Sequence, residues 1–308
     1  MAHQYLDLLR DIKEHGDGHD DRTGVGTKSL FGYQMKFDLA EGFPLLTTKK
    51  LSFRWIAEEL FWFLSGATNV EQLRNRCIKP ITIWDDWATK EKCAEFNRPE
   101  GELGPIYGHA WRNFGATKAS PDNLSTRRFH TDEGRQINLG YNDDGVDQLR
   151  KILDELEANP NSRRLIISGW DPAEADQVSL PPCHTFFQLK WHEDTNKLDM
   201  QLYQRSADVF LGVPYNIASY ALLTCIIAKA AGRAPGTYTH TFGDVHIYKT
   251  HHDAVNEQLK RTPAQLPRLT VRKVAGGSVC ERVLNTDYTA LVLEGYAPEP
   301  SIAAPVAV

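Results

Sequence analysis

Cys183 stands directly behind two prolines, in the run Leu180-Pro181-Pro182-Cys183-His184. Proline fixes φ and removes a backbone donor, so this stretch is stiff and short of hydrogen-bonding capacity. A thiolate is a nucleophile, and a neighbouring cation lowers the thiol pKa. Arg163 and Arg164 upstream and Arg205 downstream are candidates for that cation, although closeness in sequence is not closeness in space. A lone cysteine is equally at home as a small buried hydrophobe, and residue types alone leave both readings open. Gln204-Arg205-Ser206-Ala207-Asp208 brings two donors suited to an anion, followed by a carboxylate.

Three further stretches carry candidate chemistry. Asp20-Asp21-Arg22-Thr23-Gly24-Val25-Gly26-Thr27 is a polar, glycine-containing loop, either a plain turn or a loop that presents Arg22 to an anion. It is not a P-loop, because the spacing and the Lys-Ser/Thr ending are absent. Glu58 and Glu59 sit among Trp55, Ile56, Leu60, Phe61, Trp62 and Phe63, so one of them falls on or near an apolar face. A carboxylate there is either ion-paired or a proton-handling group with a raised pKa. Trp84 and Trp87 lie three apart, as core packing or as a flat wall for a planar ligand.

The elements that must hold these groups follow from periodicity. Tyr5, Leu8, Leu9 and Ile12 predict an opening amphipathic helix, and Val146, Leu149, Ile152, Leu153 and Leu156 predict another. A strongly apolar helix is expected from Trp55 to Leu64, and a long one from Asn216, as N-cap, to Ala231. A further helix is expected near 250–260. Strands are expected over 29–38, 165–169 and 198–205, the last alternating Leu198, Met200, Leu202 against Asp199, Gln201, Tyr203, Arg205. Such a strand can bury one face and carry polar groups into a cleft on the other. Residues 88–102 and 115–142 are polar and small, and read as surface excursions rather than a separate domain.

The 308 residues are 41% hydrophobic and 24% charged, a globular composition. A net charge of −5 argues against a general nucleic-acid binder, which needs a basic face. The five cysteines form no CxxC pair and no metal-ligand spacing, which argues against zinc. They fit a reducing compartment. No leader pattern and no run of 18 apolar residues is seen, so the expected location is cytoplasmic.

The ordered motifs resemble the folate-dependent thymidylate synthases over nearly the whole length. They are Asp21-Arg22-Thr23-Gly24, the run from Phe43 to Lys50, Glu59-Leu60-Phe61-Trp62-Phe63-Leu64, Ile83-Trp84-Asp85, Gly104-Pro105-Ile106-Tyr107-Gly108 and Ser162-Arg163-Arg164. The most specific are Leu180 to His184, Tyr203 to Tyr220, and Gly243-Asp244-Val245-His246-Ile247-Tyr248. The resemblance implies an α+β fold, with a mixed β-sheet flanked by helices and one catalytic domain over 1–308. It also implies a two-fold homodimer whose sheets pack face to face.

The implied activity is methyl transfer: dUMP becomes dTMP, with 5,10-methylenetetrahydrofolate giving the one-carbon unit and a hydride, and with no metal. By the match, Cys183 attacks uracil C6, and Arg205 serves both the thiolate and the nucleotide phosphate. Arg22 and Ser206 complete the phosphate site with Arg163 and Arg164 from the partner subunit. Asn216 reads the base in the Gln204-to-Asn216 run, and His246 and Tyr248 hold the sugar. Glu59, Tyr107 and His184 organise proton transfers. Trp84, Ile83, Leu180, Asp208, Gly212, Tyr215 and Lys49 match positions at the folate end, with Asp208 also placed among the catalytic groups. Val308 closes over the complex.

Five positions depart from the family's wording. Ala110 stands where Gln is usual, Gly169-Trp170-Asp171 where Ala-Trp-Asn is usual, and Ser52 and Trp55 are atypical. Several border the folate end, so a relative's chemistry is the alternative: a dUMP hydroxymethylase, in which water captures the exocyclic methylene. Asn216 argues against cytosine-specific versions. Trp84 and the Ala304-Pro305-Val306-Ala307-Val308 tail favour methylation, since both help exclude water. A non-catalytic nucleotide- or RNA-binding relative would be marked by loss of Cys183, Arg205 or Glu59, and all three are present.

Overall fold

The computed structural model describes residues 3–21, 23–77, 82–116, 125–130, 136–141 and 145–307. In chain order the elements begin with helix α1 (Gln4–His15), strands β1 (Asp17–His19) and β2 (Thr27–Asp38), then helices α2 (Phe53–Leu64), α3 (Val70–Cys77), α4 (Lys90–Ala94) and α5 (Tyr107–Asn113). Strands β3 (Ser125–His130) and β4 (Gln136–Tyr141), helix α6 (Gln148–Ala158) and strands β5 (Ile166–Ser168), β6 (His184–His192) and β7 (Lys197–Asp208) follow. Helix α7 (Gly212–Ala230), strand β8 (Ala234–Tyr248), helix α8 (His252–Leu259), strand β9 (Arg268–Val271), helix α9 (Val279–Leu284) and strand β10 (Leu291–Glu294) complete the chain. This is the expected α+β class, a mixed sheet flanked by helices, with strand order β1-β2-β8-β7-β6-β5.

The chain divides into two compact units. The first holds Met1–Ile56, Leu189–Lys273 and Thr289–Val308. In it β7 and β8 run parallel while β2 pairs antiparallel with β8. Parallel neighbours need a crossover, and α7 supplies it. That helix is apolar on all sides and lies in the core, with Ile217, Leu222, Leu223 and Ile227 fully buried. Helix α1 buries Tyr5, Leu6, Leu8, Leu9 and Ile12, and ends where the Gly16 N–H returns to the Ile12 carbonyl. On β7 Leu198, Met200 and Leu202 are buried and Gln201 is exposed, as the alternation requires.

The second unit holds Ala57–Gln188 and Val274–Tyr288. Helix α6 buries Leu149, Ile152, Leu153 and Leu156 and packs against α5, α9 and β5. Arg112 of α5 donates to both oxygens of Asp147, the N-cap of α6, and to the Leu64 carbonyl. One guanidinium thus ties α2, α5 and α6 together. Phe63 packs edge-on against Tyr107 and Trp111, at ring distances of 5.2 and 5.8 Å.

Asn216 does not cap α7. The helix starts four residues earlier, at Gly212, because Asp208 Oδ1 accepts from the Phe210 and Leu211 N–H groups and turns the chain there. Pro214 then fits the first turn, where its missing donor costs nothing. Of the two expected excursions, residues 88–102 contain α4, capped by the Thr89 hydroxyl. In the second, β3 and β4 pair antiparallel, while 117–124, 131–135 and 142 lie outside the described residues.

Candidate active site

The second unit holds the thiol. Cys183 is half-buried just ahead of β6, its Sγ 3.8 Å from the Pro181 carbonyl. The Tyr107 hydroxyl, at the start of α5, accepts from the Cys183 N–H at 2.8 Å and the His184 N–H at 3.4 Å. The rings of Tyr107 and His184 stack at 4.7 Å. A phenol thereby takes up two backbone donors at the corner that presents the thiol. Gly169 makes the close approach possible: a Cβ there would lie 2.5 Å from the His184 carbonyl oxygen. The atypical glycine therefore lets its strand close against the start of β6. By contrast, burial pushes the thiols of Cys225 and Cys280 up to about 12 and about 11, which makes them poor nucleophiles.

The two glutamates of α2 divide the roles that sequence left open. Glu58 is buried and faces Arg76 at 3.9 Å. Glu59 accepts from the Trp84 indole N–H at 2.7 Å, and burial raises its carboxyl to about 7 against that hydrogen bond. Trp84 is itself buried and packs edge-on against Trp62 at 5.7 Å and Tyr107 at 6.2 Å. A carboxyl poised near 7 can both give and take a proton at neutral pH.

The first unit carries a separate set of groups. Arg205 and Ser206 lie at the end of β7, both half-buried. Beside Arg205, Gly243 of β8 admits the neighbouring backbone, since a Cβ there would meet the Arg205 carbonyl oxygen at 2.9 Å. His240 faces Gln204 Oε1 at 2.9 Å, so the facing ring nitrogen carries a proton. Gln204 Nε2 then donates to Asn216 Oδ1 at 3.2 Å, which fixes the orientation of the Asn216 amide. His246 is buried with its Nδ1 2.6 Å from Asp244. Burial works to raise the Asp244 carboxyl, but the hydrogen bond and charge of His246 hold it below its ordinary range. Tyr248 packs edge-on to His246 at 5.0 Å. Asp21 accepts from Thr23 and Gly26 and shapes the loop that bears Arg22.

Asp208 and Lys49 form the last cluster of that unit. Lys49 is buried, donates to the Phe210 carbonyl and lies 3.7 Å over the Phe210 ring. Burial lowers its ammonium to about 7, against the attraction of Asp208. Gly212 opens α7 between Asp208 and Asn216, and Tyr215 is half-buried one turn on. The C-terminal segment is held on the chain around Lys49: the Tyr296 hydroxyl donates to Leu46 O and accepts from Leu51 N, and Glu299 N reaches Thr47 O.

Arg22 and Val308 lie outside the described residues. Arg163 and Arg164 are exposed just ahead of β5, with Arg164 3.8 Å from Glu155. A cavity of about 360 Å³ lined by Phe114, Val146, Ile152, Arg164 and Ile166 opens there. Ile83 is 64% exposed and Leu180 half-buried. His240 and His251 were not among the candidates; they are remote in sequence from the groups they hydrogen-bond, and a histidine with no local motif gives no signal. Among the described residues no three His, Cys, Asp or Glu side chains gather as a metal site.

A stiffly presented thiol with a carboxyl poised near 7 in its unit, on a mixed sheet flanked by helices, is an arrangement that can serve covalent catalysis. The thymidylate synthase family model matches residues 3–308, and the chain belongs to that family. Its members are folate-dependent transferases of nucleotide biosynthesis that use dUMP and folate.

Proposed function

We propose that this chain makes dTMP from dUMP through a covalent Cys183 adduct. The observation that carries the reading is the corner formed by Cys183, Tyr107 and His184, in the same unit as the Glu59–Trp84 pair. Addition of the Cys183 thiolate at uracil C6 makes C5 nucleophilic and splits one hard step into two easier ones. Arg205, Ser206, Arg22 and the partner's twin arginines bind the phosphate dianion, which reconciles an anion site with a net charge of −5. Asn216 donates to uracil O4 and accepts from N3–H, with His240 and Gln204 behind it. His246 and Tyr248 take the sugar hydroxyl, and Glu59, Tyr107 and His184 handle protons around the ring.

Asp208 suits the folate: Oδ1 takes its contacts with Phe210, Leu211 and His251, leaving the lone pairs of Oδ2 for a ligand N–H. When bound, methylenetetrahydrofolate supplies the one-carbon unit and the hydride. By the match to the family, Trp84, Ile83, Leu180, Gly212, Tyr215 and Lys49 are assigned to the folate, and the C-terminal segment with Val308 to the exclusion of water. The enzyme works as one catalytic domain per subunit in a cytoplasmic, two-fold homodimer. Phe31 (83% exposed) on β2, Ile166 (42%) on β5 and Phe186 (38%) on β6 support that pairing, being large apolar side chains left bare on sheet strands. Exposed Arg163 and Arg164 can reach a partner subunit, Arg164 by leaving Glu155 at 3.8 Å.

The deciding experiment gives purified protein dUMP and methylenetetrahydrofolate. Methylation oxidises the folate, so absorbance should report dihydrofolate while mass spectrometry finds dTMP in equal amount. Consumption of dUMP to 5-hydroxymethyl-dUMP without dihydrofolate would overturn methylation in favour of the hydroxymethylase.

A further inference from the structure

His251 is fully buried between α8 and the C-terminal segment, and the roles assigned so far leave it unused. Its Nε2 lies 2.8 Å from the Pro305 carbonyl oxygen, and its Nδ1 lies 3.5 Å from Asp208 Oδ1. Both neighbours are acceptors only. A neutral imidazole carries one N–H, so in that form one ring nitrogen would point a lone pair at an oxygen. The imidazolium donates to the Pro305 carbonyl and sets its second N–H, which makes no hydrogen bond as placed, beside the Asp208 carboxylate as an ion pair. The ring is caged by Phe210 at 5.6 Å and by Tyr248, edge-on, at 5.4 Å, so it cannot turn away without opening the core.

We propose that His251, as an imidazolium bridging the Pro305 carbonyl and the Asp208 carboxylate, is a positioning residue that locks the C-terminal segment to the carboxylate that receives folate. Its Asp208 half rests on the folate reading above; its contact with the tail does not. The charged and titratable groups around it agree. From the end of β7, Asp208 attracts the cation. From the 46–51 segment, Lys49 opposes it. Tyr5 of α1 donates to Val209 O and stays neutral, raised by burial and by Asp208. On its own element, His252 is lowered by burial and by the charges of Lys13 and Lys28. Burial works against the His251 cation, but Asp208 and Pro305 outweigh it, and the histidine ends above its ordinary value. A raised histidine gives a clamp that is complete below the ordinary histidine value and fails as pH rises through the raised one.

The test is hydrogen–deuterium exchange of residues 301–307 in the whole protein without ligands, from pH 6 to 9, normalised to the same peptide free in solution. Wild type should lose tail protection as pH rises. His251→Gln keeps a donor for Pro305 but not the charge, and should exchange on the order of tenfold faster at pH 6.5, with no pH dependence. Equal protection in the two proteins, or a flat wild-type profile, would overturn the clamp. Should the variant not fold, NMR titration of His251 answers instead. A chain ending at Ala304 should titrate His251 lower than the full chain does, and an unchanged midpoint refutes the link. In kinetics, His251→Gln should raise KM for methylenetetrahydrofolate severalfold, leave KM for dUMP in place and remove the alkaline limb. Exchange is read without turnover, so a protein that clamps its tail but makes no dTMP would sink the proposed reaction and leave the clamp standing.

Discussion

Replacing Glu59 by Gln separates what the carboxyl does from what it costs. The side chain keeps an oxygen for the Trp84 N–H at 2.7 Å but loses its titration. Glu59 moves from an ordinary 4.5 to about 7 on folding. Between those values the folded protein holds a proton that the unfolded chain has released, so wild-type stability falls as pH rises through that window. At about 1.4 kcal/mol per pKa unit, the loss is complete above pH 7 at about 3 kcal/mol, a ceiling because the side chain keeps some solvent contact. Glu59→Gln should therefore differ little from wild type near pH 4.5 and be the more stable protein at pH 8.5. Urea unfolding of both proteins at several pH values gives this as a double difference, in which every other titrating group cancels. The same variant should lose turnover by on the order of 10²–10⁴-fold, since an amide cannot exchange a proton. A stability difference that stays constant with pH, or a variant whose advantage over wild type is smaller at pH 8.5 than at pH 5, would refute the account of a carboxyl raised by burial.

Tyr107→Phe removes the acceptor shared by Cys183 N and His184 N. Leaving those donors unpaired should cost about 1–3 kcal/mol in thermal or urea unfolding, and kcat should fall at least tenfold with dUMP affinity little changed; unchanged kcat would show that the hydroxyl does not place the thiol. Asn216→Asp keeps an oxygen for Gln204 Nε2 at its present 3.2 Å, and when protonated it can donate to cytosine N3. Turnover of dUMP should drop and turnover of dCMP appear; a wild-type preference ratio would remove Asn216 as the reader of the base.

What the sequence disclosed depended on range. The 3.6-residue period announced α1 and α6, and the two-residue period announced β7, because each reports a face buried by its own element. The start of α7 was misjudged because Asn216 is a fair cap in isolation, whereas the turn that starts the helix is closed from Asp208. Helix α9 went unread although its signal was local: Ser278 and Glu281 form a reciprocal capping box. Strand β8 went unread, and Pro235 and Gly236 at its start argue against a strand interior. At the site, helical phase could say that one glutamate of α2 meets apolar surroundings. Only packing could say that Trp84 claims Glu59 while Arg76 faces Glu58. The Tyr107 hydroxyl under Cys183 bridges 76 positions, and the Pro305 carbonyl on His251 bridges 54. No periodicity reaches that far.

Glu59 and Lys49 carry opposite charges and are displaced in opposite directions to the same place, each to about 7. The two costs run in opposite senses with pH. The Glu59 penalty is absent below its ordinary value and complete above pH 7. The Lys49 penalty is complete below pH 7 and is relieved as pH rises toward the ordinary 10.5, since there the unfolded chain binds the extra proton. Their sum is therefore greatest around neutrality. A chain selected for stability alone would replace a buried lysine and a half-buried glutamate with apolar side chains of similar volume, as buried ionisable groups allow. Keeping both fits the roles proposed above, Glu59 in proton transfer and Lys49 at the folate end. The instability is concentrated in residues that the proposed reaction uses, while the fully buried apolar side chains of α1, α6 and α7 hold the fold.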